Sequence, residues 1–336
     1  MAETEITIPS LFAALTGYQR SGALKAAIDL DVFTAIGEGN DTAAALARRC
    51  AGAERGIRML CDALTAFGFL TKQGSRYGLP PGADTFLDRR SPMYAASAAR
   101  FLASAELFDV FTRVADAVRH GGTVMPQDGS IAPENPLWVE FARAMGPLAK
   151  MQGQLMANLL DAEHAPAWKV LDIAAGHGEF GIAIARQNPR AQIVMLDWRN
   201  VLTVAEENAH AAGVADRVQM LPGSALEVDY GAGYDLVLLT NFLHHFDRAG
   251  CAKILGKVHG ALKPGGRAVT LEFIPNEDRV SPPEAASFTL PMLVMTPGGD
   301  AYTFSEYQRM FADARFTKSE LHDLVPTFHR VVVSTK

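Results

Sequence analysis

The segment Val170-Leu171-Asp172-Ile173-Ala174-Ala175-Gly176-His177-Gly178-Glu179-Phe180-Gly181 constrains this chain more than any other. A short apolar run ends in closely spaced glycines, and a helical pattern follows. Such a run reads as a strand buried on both faces. Glycines let the chain turn tightly and let its backbone approach a ligand, and the N–H groups of the next helix point at that ligand. Gly176, Gly178 and Gly181 stand in G-x-G-x-x-G order after the strand, which matches a dinucleotide fingerprint.

The pattern then repeats. Lys169–Ala174, Gln192–Leu196, Val218–Leu221, Tyr234–Thr240 and Ala268–Phe273 have strand length and apolar content. Helical stretches separate them, among them Glu179–Gln187, Val201–Ala212 and Ala249–Leu262. This alternation predicts an α/β fold, a doubly wound and mostly parallel sheet covered by helices. Two last extended runs, Thr317–Leu324 and Phe328–Ser334, have only a short turn at Pro326 between them, so they pair antiparallel.

The first part of the chain reads differently. Ser10–Arg20, Ser21–Leu30 and Glu54–Phe67 carry apolar residues at helical spacing, and Asp41 or Thr42 can cap a further helix through Arg49. Gly68–Thr71 and Arg76–Leu79 flank a Lys72–Ser75 turn and predict a β-hairpin, giving a winged-helix plan. Ser91–His120 and Pro136–Leu160 read as long helices with a Gly- and Pro-rich loop between them.

Composition narrows the function classes. The formal net charge of −6 argues against broad nucleic-acid binding, which needs a basic face. Cys50, Cys61 and Cys251 are odd in number and lack C-x-x-C spacing, so neither a disulfide framework nor a metal site is expected. Met1–Ser10 lacks an apolar signal region, and no apolar run has membrane-spanning length. A cytoplasmic protein with reduced thiols is the expectation.

Two carboxylates bear on the ligand. Asp172 lies near the carboxyl end of the first strand, where it repels a pyrophosphate and welcomes an ammonium or sulfonium. Asp197 ends the next strand and can hold both hydroxyls of a ribose, whether of NAD or of S-adenosylmethionine. An NAD-linked oxidoreductase is therefore the alternative class, and a DNA-binding regulator built on the winged helix is a third.

Asp172-Ile173-Ala174-Ala175-Gly176-His177-Gly178 resembles the glycine loop of class I S-adenosylmethionine-dependent methyltransferases, with Ala174 in place of the first glycine. Leu262–Arg267 resembles the turn before the fifth strand of that class. Phe141–Met145, Asn241–Asp247 and Thr296–Gly299 further resemble the O-methyltransferases of plant phenolic and bacterial natural-product metabolism. That resemblance implies a Rossmann-like domain over residues 161–336. It implies a winged-helix-like dimerisation domain over 1–90 and a helical linker contributing to the substrate pocket over 91–160.

The resemblance also assigns roles. His244 falls on the general base and Glu272 on its orienting carboxylate. Asp172, Ala174, Gly176, Gly178, Asp197, Trp198, Gly223, Ser224, Ala225, Asn241 and Phe246 fall on the cofactor site, with Phe246 replacing a tryptophan. Met145, together with the apolar Phe288, Met292 and Met295, is expected at the substrate pocket. His245 is expected to be structural or loop-orienting. A second orienting glutamate is missing, and Asp300 stands nearest its place. The resemblance implies methyl transfer from S-adenosylmethionine to a hydroxyl of an aromatic or otherwise apolar small molecule, S-adenosylhomocysteine as product, and a homodimer. No metal, nucleic acid or membrane is implied. The missing glutamate leaves C- or N-methylation open as an alternative.

Overall fold

The computed structural model describes residues 5–126 and 128–336, which form two units dividing after Leu107. In the first unit, α1 (Ile8–Leu15), α2 (Gly17–Asp29), α3 (Val32–Gly37), α4 (Ala43–Arg49) and α5 (Glu54–Ala66) precede a hairpin of β1 (Thr71–Gln73) and β2 (Arg76–Gly78). The Thr42 hydroxyl accepts the Ala45 N–H at 3.3 Å and starts α4. Phe33, Leu46, Ile57, Cys61 and Leu64 form the core of the unit. The break between the first two helices comes at Thr16, not after Arg20 as the apolar spacing predicts. The Thr16 hydroxyl and its N–H both bond the Phe12 carbonyl, which closes α1 there.

The continuous helix expected over Ser91–His120 is three short ones after α6 (Ala83–Phe86): α7 (Ala99–Leu102), α8 (Ala105–Thr112) and α9 (Val114–His120). Ser104 and Thr112 explain the breaks. The Ser104 hydroxyl accepts the Leu107 N–H at 3.3 Å and caps α8, and the Thr112 hydroxyl donates to the Asp109 carbonyl at 2.6 Å. Such hydroxyls compete with the helix ladder.

In the second unit, α10 (Leu137–Leu159) precedes the large sheet. Its strands are β3 (Lys169–Ile173), β4 (Gln192–Asp197), β5 (Val218–Pro222), β6 (Tyr234–Thr240), β7 (Leu262–Glu272), β8 (Lys318–Asp323) and β9 (Arg330–Thr335). The order is β5-β4-β3-β6-β7-β9-β8. The first five neighbours run parallel, and β9 is antiparallel to both β7 and β8. Leu262–Arg267 belongs to β7, whose pairing with β6 slips between Tyr234 and Leu236.

Both faces of the sheet are covered, which is why β3 is buried from Val170 to Ile173. One layer holds α10, α11 (Glu179–Gln187) and α12 (Arg199–Ala211) over Val170, Ile193 and Leu236. The other holds α13 (Arg248–Ala261) and α16 (Phe304–Asp313) over Leu171, Leu239 and Val332. Between them in sequence come α14 (Pro283–Ser287) and α15 (Thr289–Met295). The chain leaves β3 toward β4 on one side and returns as β6 on the other. That reversal opens a crevice at the carboxyl ends of the strands, where ligands of such sheets bind.

Candidate active site

A cavity of about 150 Å³ lies at those strand ends. Ala174, Gly176 and His177 line it from the loop after β3, and Asp197 and Trp198 from the end of β4. Gly223, Ser224 and Ala225 follow β5, while Asn241, Phe242, His245 and Phe246 follow β6. Trp138 and Phe141 of α10 complete the wall. The Trp138 indole N–H donates to the Ser130 carbonyl at 2.7 Å and ties the preceding loop to the helix.

The glycines divide by task. Gly176, at φ +59°, faces open space, where an added Cβ would meet only a carbonyl at 3.9 Å. Gly178 and Gly181 are packing residues. A Cβ on Gly178 would meet Ala205 at 3.0 Å, and one on Gly181 would meet Ile193 at 2.8 Å. The Gly223 N–H donates to the Asp197 carbonyl at 2.9 Å. A Cβ there would stand 2.3 Å from Val228, so the position requires glycine. Ala174 takes φ +55° in spite of its Cβ.

Asp197 is half-buried. One carboxylate oxygen accepts the Gly176 N–H at 2.8 Å and the other accepts the Trp198 N–H at 2.7 Å. Asp172 is fully buried behind the glycine loop and is not part of the cavity wall. Its Oδ2 accepts the Gly181 N–H at 3.1 Å, and its Oδ1 meets no partner among the described residues. Burial pushes Asp172 up to about 7 and Asp197 up to about 6. The Ser224 hydroxyl is engaged with the Leu226 N–H at 3.2 Å.

His244 and Glu272 do meet. His244 lies in a tight turn, Leu243–His245, after β6, and Glu272 closes the neighbouring β7. The His244 Nδ1 and Glu272 Oε2 form a short hydrogen bond, and Glu272 Oε1 accepts the N–H groups of Phe242 at 3.0 Å and Leu243 at 2.9 Å. Both residues are buried. Burial drives the His244 ring down to about 3 and the Glu272 carboxyl up to about 8. The second ring nitrogen of His244 lies 3.1 Å from Nε2 of His245.

Thr296–Gly299 holds this turn from behind. A Cβ on Gly299 would sit 2.2 Å from the His244 carbonyl, which accepts the Asp300 N–H at 3.0 Å. The Asp300 carboxylate pairs with Arg279 at 3.2 Å and makes no contact with the imidazole. Phe288 stands edge-on to His244 at 4.9 Å and stacks on Phe273 at 3.8 Å. Met145 is half-buried on α10, and Met292 and Met295 are buried on α15. None of these four expected pocket residues lines the cavity.

Residues 111–317 match the O-methyltransferase domain. The chain belongs to the O-methyltransferase family. Residues 12–89 of this methyltransferase match the O-methyltransferase dimerisation domain. The tetracenomycin polyketide synthesis 8-O-methyltransferase of Streptomyces glaucescens is 28% identical over 94% of this chain and 93% of its own. The 3-hydroxy-5-methyl-1-naphthoate 3-O-methyltransferase of Streptomyces sahachiroi is 28% identical over 91% of this chain and 89% of its own. A crystallised Nostoc punctiforme protein described as a candidate O-methyltransferase is 48% identical, covers 99% of this chain and 100% of its own, and superposes with a TM-score of 0.93. Human N-acetylserotonin methyltransferase, solved with S-adenosylmethionine, shares the fold at 21% identity and a TM-score of 0.85 over 100% of this chain and 99% of its own.

The cofactor of this methyltransferase is S-adenosylmethionine. The cavity suits it chemically. Asp197 offers carboxylate oxygens for a ribose diol, and Gly176 leaves room for close backbone approach. Ala225 and Phe246 offer apolar surface for an adenine. Asn241 Oδ1, buried without a partner among the described residues, is an acceptor suited to an ammonium. The sequence reading missed Trp138 and gave no site role to Phe141 and Phe242, which stand inside its motifs. Trp138 and Phe141 stand one helical turn apart, a spacing that signals one shared face.

Proposed function

We propose that this enzyme methylates a hydroxyl of a flat, aromatic small molecule, with His244 and Glu272 taking up the hydroxyl proton. The observation that carries this reading is the hydrogen-bonded His244–Glu272 pair at the strand ends, beside a cavity walled by Trp138, Phe141, Phe242 and Phe246. S-adenosylmethionine, when bound, supplies a sulfonium-activated methyl group: the acceptor oxygen's electron pair forms the O–CH3 bond, and the C–S pair stays on sulfur to leave S-adenosylhomocysteine. The chain's own contribution is alignment, exclusion of water and removal of the proton. Alignment supplies up to roughly 7–11 kcal/mol in favourable cases, and a positioned base about 10²–10⁴-fold.

Two relatives act on polyketide and hydroxynaphthoate acceptors by name, which supports a fused-ring phenol here. The dimerisation domain supports a homodimer. The three buried, unpaired cysteines suit a reducing, cytoplasmic setting. Turnover of a hydroxynaphthoate panel tests the reading. His244→Ala is expected to lower kcat by about 10²–10⁴-fold with little change in cofactor affinity. Turnover near wild type would remove His244 from proton transfer.

A further inference from the structure

His244 is closed off on every side. It is 3% exposed, and both ring nitrogens are engaged, Nδ1 by Glu272 and Nε2 by His245 at 3.1 Å. The imidazole is not part of the cavity wall. An acceptor hydroxyl has to come within about 2.6–3.2 Å of a general base. A neighbour of the ring must therefore move before an acceptor can reach it.

The neighbours differ in how firmly they are held. Glu272 is fully buried and accepts the Phe242 and Leu243 N–H groups. His245 is buried, with the Trp138 ring edge-on to it at 5.0 Å. Phe288 is only half-buried and sits at the junction of α14 and α15. The backbone bonds around it are long. Its N–H reaches the Ala285 carbonyl at 3.3 Å, and the Met292 N–H reaches the Phe288 carbonyl at 3.4 Å. The other end of α15 is fixed, since the Val294 carbonyl accepts the Thr123 hydroxyl at 2.9 Å and the Val124 N–H at 3.1 Å. Weak bonding and partial exposure make Phe288 the neighbour that yields most readily.

Phe288 also has the shape of an aromatic ligand. Its ring lies flat on Phe273, with centroids 3.8 Å and planes 7° apart. It meets the His244 ring edge-on at 4.9 Å. Phe273 is half-buried and follows Glu272 directly in the chain. Phe328 at 5.4 Å and His329 at 4.4 Å pack against the Phe273 ring and keep it in place.

From this geometry we infer that the face of Phe273 is the acceptor's binding surface, and that Phe288 is a plug covering it until an acceptor arrives. The acceptor ring takes the place of Phe288 on Phe273, which brings its hydroxyl beside His244. This inference rests on the aryl-hydroxyl reading above and leaves His244 as the base. The exchange selects for flat rings. An aromatic acceptor replaces one stacked pair by another, whereas an aliphatic alcohol breaks a stack and restores none.

A stacked aromatic pair is worth about 2- to 12-fold in a binding constant. Calorimetric titration of enzyme saturated with S-adenosylhomocysteine measures acceptor binding without turnover. Phe288→Ala should bind 2-naphthol about 2- to 12-fold more tightly than the wild type, because it has no stack to break. Phe288→Leu, which keeps bulk at the junction, should shift in the same direction. Unchanged or weaker binding by both variants would make Phe288 an ordinary wall residue and overturn the inference.

A fluorine label gives a second readout. With para-fluorophenylalanine in place of Phe288, addition of 2-naphthol should move the fluorine resonance from a buried, ring-shielded position to a solvent-exposed one. Naphthol binding with the resonance unmoved would contradict the plug. Failure of the wild type and of Phe288→Ala to bind either 2-naphthol or a hydroxynaphthoate would count against the aryl-hydroxyl reading itself, and the inference would fall with it.

Discussion

The charge state of single side chains should bear on how this enzyme meets its cofactor. Loss of water around Asp172, which is buried, and Asp197, which is half-buried, pushes both carboxyls above the usual range. A carboxyl raised in this way contributes to stability at low pH, and that contribution fades as pH rises through about 6 to 7. A bound cation favours the ionised form, so binding releases protons in that window. S-adenosylmethionine affinity should therefore rise between pH 5 and 8, more steeply than that of S-adenosylhomocysteine, which lacks the sulfonium charge. Titration calorimetry in buffers of different ionisation enthalpy reads the released protons, and Asp197→Asn should remove part of the slope. Parallel pH profiles for the two ligands would contradict the assignment. Ala174 offers a second test at this scale. At φ +55° its Cβ is strained, by about 1–2 kcal/mol, of which the greater unfolded-state freedom of glycine takes back roughly 0.4–1 kcal/mol. Ala174→Gly should leave stability unchanged or raise it by up to about 1.6 kcal/mol in denaturant unfolding. At this scale the motifs of the sequence could be placed: Asp197 and Gly176 lie on the cavity wall, and His244 and Glu272 are hydrogen-bonded to each other. The sequence did not reveal that the cavity wall includes His245 and not His244, because adjacent identical side chains give no period to read.

Secondary elements set the precision of the site. The His244 turn is gripped between Glu272 at the end of β7 and the backbone of Gly299 and Asp300. Because a Cβ on Gly299 would stand 2.2 Å from the His244 carbonyl, Gly299→Ala must displace the turn. The expected outcome is a fall in kcat of at least about 10-fold, since small misplacements of a reacting group are expensive, with the fold retained by circular dichroism. Unchanged kcat would show that Gly299 does not hold the His244 turn in a position that turnover needs. Gly153 gives the packing counterpart. Its missing Cβ lets α10 approach α11, where an added one would lie 2.8 Å from the Glu179 carbonyl. Gly153→Val should destabilise by about 1–3 kcal/mol, measurable by urea unfolding. The inner strands of the sheet were readable from their apolar runs because both of their faces are buried. The helices over residues 99–120 were not, since Ser104 and Thr112 break them through local hydroxyl bonds that leave the apolar pattern intact.

At the scale of the whole molecule, the first unit exposes apolar surface that a monomer does not use. Ile8, Leu11, Phe12 and Leu15 of α1 are 74%, 50%, 61% and 64% exposed. Such a face marks an interaction surface, and the dimerisation-domain match begins at residue 12. Sedimentation should find a dimer for the wild type and a shift toward monomer for Phe12→Glu combined with Leu15→Glu. No helix among the described residues is long and apolar enough to cross a membrane. The α/β architecture and its terminal antiparallel pair could be read from the order of strands and helices alone. The acceptor could not, because apolar composition does not specify a ring system. The chemistry itself is open to one direct measurement. The enzyme, S-adenosylmethionine and a hydroxynaphthoate panel are incubated together, and the position of the new methyl group is read by NMR of the product. The account predicts an aryl O–CH3 resonance and an equal amount of S-adenosylhomocysteine. A methyl group on carbon or nitrogen would contradict it.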